Sequence, residues 1–519
     1  MIRELENLPP KPASIVDDVA CVGSTIYVNK SKVLDSVLQS WFQRAKVSYP
    51  DLALEAVDPD VLIKWRAKER ANRTGLSGSD TELLVEDATN LSRTRQYLKR
   101  MAELGASDLH LLLRDSYAEV QVRIKGQLRV LDKLTVGEGR ILERTLFQGF
   151  AGSKDSSFRP MEFQNAQIDG EDVDPLLTGI RLVRGPCYPL EKGGSFVVGR
   201  LQYAASTRAL RNAGRGQLAL PARVPAEDLR LTDLGYTADQ VQELQDMMES
   251  NSGIILVTGP TGSGKTTLQY ELLKWHNHRF PELRQVTIED PIEYPMPWAV
   301  QLSITNAHNE EATAEAFLER LRTALRMDPD TILVGEVRGA GSAMAALNAA
   351  MTGHLVLGTM HTNDPYMTID RLELMDPIRL SRKITCDHRL IVGLVAQRLL
   401  PELCPHCSQP FQPDSVPLTV RHKLETWGDL STFREKGPGC DFCGGDGYVS
   451  RSAVGEVVTT DSELMRVFIE EGSEAARNFM KNRAGFTGTI LQNTMRLVSS
   501  GRVAPHDIRF ATTLEKADR

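Results

Sequence analysis

Residues 253–267 read GIILVTGPTGSGKTT. Four aliphatic residues, Ile254 to Val257, lead into Gly259, Pro260, Thr261, Gly262, Ser263, Gly264, Lys265, Thr266 and Thr267, which satisfy the spacing G-x-x-x-x-G-K-[ST]. A short continuous apolar run is the mark of a strand buried on both faces. The glycines let successive backbone N–H groups turn inward around phosphate groups at the start of a helix. Lys265 is placed to reach the terminal phosphates, and the Thr266 hydroxyl to hold Mg²⁺. The expected local structure is strand, phosphate loop, helix.

Outward from this segment, helical and apolar runs alternate. Helical spacing over 237–249 precedes the strand; a helix follows Lys265; strands are expected near 285–288, at TILVGE and at HLVLGTM, with helices over 315–326 and 342–351 between them. Buried strands separated by helices indicate an α/β fold with a parallel sheet covered on both faces. In such a sheet ligands sit beyond the carboxyl ends of the strands, and two acidic groups stand there. Glu336 ends the apolar strand 332–334, and Glu289, Asp290 and Glu293 follow the strand ending at Ile288. A phosphate cradle needs carboxylates to hold magnesium and orient water. His361 and Asn363, just past a further strand, supply short polar groups suited to sensing a terminal phosphate.

Seven cysteines are present, and four of them form two CxxC pairs, Cys404 with Cys407 and Cys440 with Cys443, separated by 32 residues. In a reducing compartment such clustering points to metal rather than disulfides. Four thiolates in tetrahedral array are the preference of structural zinc and leave no vacancy for catalysis.

The first hundred or so residues carry no catalytic motif. Val33, Leu34, Val37, Leu38, Trp41, Phe42 and Ala45 recur at helical spacing and predict an amphipathic helix in a small helical domain. From about residue 95 the pattern changes to alternation. Val120, Val122 and Ile124 alternate with polar residues up to Lys125-Gly126, where a hairpin turn is expected, and further alternating stretches lie over 179–182 and 195–203. The basic, Gly- and Pro-containing segment 210–225 reads as part of a linker.

Composition excludes several classes. With 61 Lys and Arg against 68 Asp and Glu, the formal charge is −7, so no global basic field invites nucleic acid. The longest apolar stretches, such as 390–395, fall far short of the roughly 18–20 residues needed to span a bilayer. The N-terminus MIRELENLPPKPAS has acidic residues and prolines where a secretory apolar core would sit. A cytoplasmic location is expected. A nucleic-acid translocase would need a basic groove or stacking aromatics, and aromatics are 6% of the chain. A nucleotide-gated scaffold with vestigial hydrolysis is the non-enzymatic alternative.

In this order, GIILVTGPTGSGKTT, TIEDPIEY, LRTALRMDPDTILVGEVR, MTGHLVLGTMHTND and CPHC with GCDFCGGDGY resemble the Walker A, aspartate box, Walker B, histidine box and tetracysteine motifs of the type II secretion and type IV pilus assembly ATPases, the GspE/PilB/PilT group. The tetracysteine motif is typical of the secretion and extension branch. Overall length and the divergent N-terminus look most like the ATPase of type IVb or conjugative thin-pilus systems. The resemblance implies a RecA-like P-loop NTPase motor with a zinc subdomain, preceded by a PAS-like α+β domain and a small helical N-terminal domain. The expected division is an N-terminal docking domain at 1–95, a PAS-like N2 domain at 96–208, a linker at 209–228, and a motor at 229–519 with the zinc subdomain at about 400–450.

It further implies a homohexameric ATPase at the inner face of the inner membrane, using ATP, Mg²⁺ and Zn²⁺ and reaching an inner-membrane platform protein through its N-terminal domain. Membrane association would be peripheral, through partners, with no nucleic acid involved. Site residues 259–267, Glu289 and Asp290 would bind the nucleotide. Glu336 and Glu293 would share water activation and magnesium-shell duties without a unique assignment. His361 would sense the terminal phosphate, and Arg181 and Arg200 would reach the nucleotide across domains. Where the family carries Asp after the Walker B segment, this chain has Gly339, so a second carboxylate's support for that loop is missing.

Overall fold

The computed structural model describes residues 8–58, 61–62, 64–66, 69, 79–154, 157–170, 173–203, 220–221, 230–304 and 310–517. The chain forms two compact units, Met1–Lys125 with Val130–Gly185 and Ser195–Leu220, and Gly126–Arg129 with Pro186–Gly194 and Pro221–Arg519. Apart from 220–221, the segment expected as a linker lies outside the described residues.

The first unit opens on three strands, β1 (Val19–Val22), β2 (Thr25–Asn29) and β3 (Ala53–Val57), in the order β1-β2-β3. The first pair is antiparallel and the second parallel. The crossover between β2 and β3 carries the predicted amphipathic helix, at Ser36–Ser48. Asp35 caps it by accepting from Val37 and Leu38 amides at 2.9 and 3.1 Å, so Val33 and Leu34 precede the helix and Leu34 is exposed. Leu38, Trp41, Phe42 and Ala45 pack with Ile15, Val19, Ile26 and Val28. The N-terminal part, expected as helical only, is therefore a helix packed on a mixed sheet.

After the helix Ser79–Glu103 come β4 (Asp108–Leu113), β5 (Ala118–Ile124), β6 (Gln127–Leu134), β7 (Ala151–Lys154), β8 (Gln164–Asp169), β9 (Leu177–Pro186), β10 (Ser195–Tyr203) and β11 (Leu220–Pro221). They form one sheet of order β11-β6-β5-β4-β10-β9-β8-β7. The hairpin turn falls where the alternation stops: Lys125 and Gly126 both have positive φ, 53° and 80°, as a tight two-residue turn requires. Leu98, Met101, Leu142 and Phe147 from flanking helical segments share a core with Leu109, Leu111, Val120 and Val122. This is an α+β domain.

The second unit holds β12 (Gly253–Thr258), β13 (Gln285–Glu289), β14 (Val300–Ser303), β15 (Thr331–Val334), β16 (Leu355–Met360), β17 (Ile391–Leu403), the short pair β18 (Gln409–Pro410) and β19 (Arg434–Glu435), and β20 (Tyr448–Thr459). Its main sheet runs β14-β13-β15-β16-β12-β17-β20. Every neighbour pair is parallel except β17 with β20. β12, β15 and β16 are buried along their whole length, as their unbroken apolar runs require. This is the α/β fold expected of a RecA-like P-loop NTPase. The antiparallel pair β17/β20 registers Gly393 with Thr459 at one end and Leu403 with Tyr448 at the other, and so reaches the cysteine segment.

One buried carboxylate gives this unit a pH dependence. Glu456 on β20 is 5% exposed, and burial pushes its carboxyl up to about 7 although the Ile490 amide donates to it at 3.2 Å. A carboxyl raised above its ordinary 4.5 contributes stability that is fully present below that value and is lost as pH rises through about 7. Glu456→Gln is expected to remove this decline and to leave the protein more stable at pH 8 by on the order of 3 kcal/mol. Urea unfolding at pH 5 and pH 8 measures it; an unchanged difference between the two pH values would refute it.

Candidate functional site

β12 ends at Thr258 and the helix Lys265–Arg279 begins six residues after Gly259. Between them Gly259, Gly262 and Gly264 have φ of 148°, 75° and 83°, conformations closed to most side chains. Space is short as well. A Cβ on Gly259 would lie 2.5 Å from the Gln397 carbonyl oxygen, and one on Gly264 2.7 Å from the Gln397 amide nitrogen. Gln397 clamps the loop by donating to the Ser263 carbonyl at 2.7 Å, and is itself oriented by the Tyr236 hydroxyl, which donates to it at 2.6 Å.

Lys265 is 9% exposed and its Nζ donates to the loop's own carbonyls, Gly259 at 2.9 Å and Pro260 at 3.0 Å. Burial lowers its pKa; Glu336 and Glu293 act to raise it, and Arg398 to lower it further. Pro260, Thr261 and Gly262 are exposed, Thr266 is half-buried in the first helical turn, and the Thr267 hydroxyl lies 3.1 Å from that of Tyr294. Among the described residues, the buried hydroxyls of Thr258 and Ser263 have no hydrogen-bond partner. A cradle of this shape, with orphaned buried hydroxyls and a cation bound only to carbonyls, fits a polyphosphate.

Glu336 follows β15 on a segment pinned from both sides. The Gly335 amide donates to Ile288 and the Val337 amide to Thr359, each at 2.8 Å, and the Thr359 hydroxyl donates to the Gly335 carbonyl. The carboxylate pairs with Arg338 at 2.8 Å and lies 3.5 Å from His361 Nε2. Glu336, His361 and Lys265 are thus brought to one end of the sheet. The four carboxylates differ in setting. Glu289 is buried and accepts from Thr287 and from Gln301 at 3.0 Å, and burial raises its pKa. Asp290 and Glu293 are exposed. At Gly339, where the resemblance implies a carboxylate, the Ser342 hydroxyl accepts from the Gly339 amide at 3.3 Å and donates to its carbonyl at 3.0 Å, so a serine closes this helix start.

Arg181 and Arg200 belong to the first unit, on β9 and β10, and both are exposed. Arg184, three residues beyond Arg181 and so on the opposite face, is buried against Glu143 at 2.6 Å. Arg200 pairs with Asp108 at 2.8 Å.

The four paired cysteines converge. Their sulfurs lie within 4.8 Å of one another, with Cys404–Cys440 at 3.7 Å, Cys440–Cys443 at 3.8 Å and Cys407–Cys443 at 3.9 Å. Zinc–sulfur bonds of about 2.3 Å at tetrahedral angles put sulfurs about 3.8 Å apart, whereas a disulfide needs about 2.05 Å. The donor set therefore fits zinc. Amides of Cys440 and Gly447 donate to the Cys443 sulfur at 3.2 and 3.1 Å and favour its thiolate. A Cβ on Gly437 would lie 1.8 Å from the Cys407 carbonyl oxygen, so the two knuckles close only with glycine there. His406 is exposed, its ring 4.2 Å from that of Phe442, and is outside the cluster.

Sequence reasoning passed over Gln397 and Arg398. The signal was two consecutive polar residues inside the apolar run IVGLVAQRLL, where each must find a partner or a function.

The family described as "Type II/IV secretion system protein" matches residues 222–511. The chain is similar to the type IV pilus assembly ATPase PilB of Thermus thermophilus, 30% identical over 81% of this chain and 42% of that protein. It is similar to the type II secretion system protein E of Klebsiella pneumoniae, 36% identical over 47% of this chain and 46% of that protein. The type II secretion system protein E of Pseudomonas aeruginosa is 30% identical over 76% of this chain and 71% of that protein. The chain spans about half, or less, of the length of the first two of these relatives.

Proposed function

The chain belongs to the type II/IV secretion system protein family, and from that premise we propose that it is a P-loop ATPase that powers assembly of a type IVb pilus through an inner-membrane platform protein. One observation carries the enzymatic part: a glycine cradle and Lys265 face Glu336 and His361 at one end of a parallel sheet. In this reading the loop amides and Lys265 hold the polyphosphate, and the Thr266 hydroxyl holds Mg²⁺. Glu336 orients water and accepts its proton, His361 steadies that carboxylate, and Glu293 with Asp290 contributes to the magnesium shell. Bound Mg²⁺ supplies charge neutralisation. Arg181 and Arg200 are the proposed charge-stabilising arginines from the PAS-like domain at 96–208, which would couple turnover to movement of that domain.

The active form is proposed to be a homohexamer at the inner face of the inner membrane, recruited by residues 1–95. Among the described residues no helix is long and apolar enough to cross a membrane, so a docking contact would supply the attachment. Type II secretion is the second reading, supported by relatives that carry that name.

The test is steady-state phosphate release by the full chain with Mg·ATP. Turnover is expected, insensitive to single-stranded DNA and lost in Lys265→Ala. No turnover by the assembled protein, or equal turnover by Lys265→Ala, would leave a scaffold; strong stimulation by single-stranded DNA would favour a translocase. Restoration of pili rather than of secretion in a strain lacking the gene separates the two remaining readings.

A further inference from the structure

We infer that Arg398 is a second phosphate-contacting cation of this site, binding the polyphosphate beside Lys265 and linking its presence to the loop that carries His361. The inference rests on the ATPase reading above and adds a residue to it. Arg398 lies on β17, beside the phosphate loop, and is 7% exposed. Its guanidinium donates from Nη1 to the Gln397 carbonyl at 3.0 Å and from Nη2 to the Asn363 carbonyl at 2.5 Å. These two bonds use two of its five N–H donors, and among the described residues no carboxylate pairs with it. Asp364, which acts on it electrostatically, is committed to Arg477.

A buried guanidinium without an anion is costly. Here it stands near a second buried cation, Lys265, which is also bound only to carbonyls. Two neighbouring buried cations are stable together when an anion of at least two charges lies between them. The approach route is open on the loop side. A Cβ on Gly259 would lie 3.2 Å from Arg398 Nη1, so the first glycine of the cradle leaves the backbone against the guanidinium with no side chain between them. The orphaned hydroxyls of Thr258 and Ser263 flank the same glycine. The group that completes all four is a nucleoside polyphosphate. Because Nη2 also holds the Asn363 carbonyl, two residues beyond His361, a pull on the guanidinium acts on the loop that places the histidine against Glu336.

The experiment is isothermal titration of the full chain with pyrophosphate and with ADP, for the unsubstituted protein, R398K and R398Q. A lost charge-assisted contact is expected to weaken both ligands roughly 10- to 100-fold in R398Q. R398K, which keeps the charge but not the fork, should recover part of that and weaken pyrophosphate roughly 3- to 10-fold. A purely structural role would lower the melting temperature of ligand-free R398Q and leave its affinities within twofold, which overturns the inference alone. If R398Q does not fold, R398K decides: affinity equal to that of the unsubstituted protein overturns it. An unsubstituted chain that binds neither ligand overturns the ATPase reading and this inference together.

Discussion

Glu336→Gln protein is expected to bind Mg·ATP with an affinity within a few-fold of the unsubstituted chain and to hydrolyse it roughly 10²- to 10⁴-fold more slowly. The backbone that positions residue 336 does not depend on its side chain, since the bonds from Gly335 to Ile288 and from Val337 to Thr359 hold it on both flanks. An amide of the same shape still accepts from Arg338, so the substitution removes charge and proton affinity while the geometry stays. Glu293 is exposed and carries no such scaffold, and Glu293→Gln is expected to cost less than a tenth as much in rate, with a larger effect on the magnesium requirement. Single-turnover phosphate release and fluorescent-nucleotide binding, measured on both variants, separate chemistry from affinity. Glu336→Gln protein with ordinary turnover, or a larger loss in Glu293→Gln, would reverse this ranking of the two carboxylates.

The parts of this fold that were legible each leave a local mark in the sequence. Strands β12, β15 and β16 are buried on both faces, so each appears in sequence as an uninterrupted apolar run ending at a functional residue. The phosphate loop was legible because its backbone passes where a Cβ on Gly259 or Gly264 would collide, which leaves glycines at fixed offsets, and the cysteine knuckles because four thiols stand in two CxxC pairs. The N-terminal sheet had no such signature. β3 reads ALEAV, mostly good helix formers, and becomes a strand only because β2 offers it a parallel edge. The amphipathic helix was placed too early because Val33 and Leu34 fit the periodicity, although Asp35 caps the helix after them. Pairings between distant segments were illegible for a different reason. The thirteen-residue strand β17 pairs with β12 across a chain separation that no local pattern encodes, Val257 opposite Val395 and Thr258 opposite Ala396, and it is this pairing that carries Gln397 and Arg398 to the phosphate loop.

The same strand makes the cysteine cluster more than a local staple. β17 ends at Leu403, and the Cys404 amide continues the ladder by donating to the Gly447 carbonyl at 3.0 Å. Arg398 stands six residues upstream, about 20 Å along the strand. Cys404 is the buried member of the four, and replacing it with serine leaves three thiolates, while the backbone amide that bonds Gly447 is kept. Cys404→Ser protein is therefore expected to lose its zinc, measured as a fall from one equivalent per chain to near none by elemental analysis. Structural zinc in small knuckle domains is worth about 10–16 kcal/mol in apparent binding free energy near neutral pH, as much as the whole stability of a domain, about 5–15 kcal/mol. Segment 404–447 should then lose its fold, seen as rapid hydrogen exchange confined to those residues and the adjoining ends of β17 and β20. Nucleotide affinity should fall as well, by a factor that shrinks if fraying stops before Gln397. Chelation of the unsubstituted protein should give the same pattern, and restored zinc should reverse it. If metal-free protein under reducing conditions keeps slow exchange over 404–447, the four sulfurs hold together without an ion and the zinc assignment fails. If exchange becomes fast there while pyrophosphate binding is untouched, β17 does not transmit the loss and the cluster acts on the tip of the sheet alone.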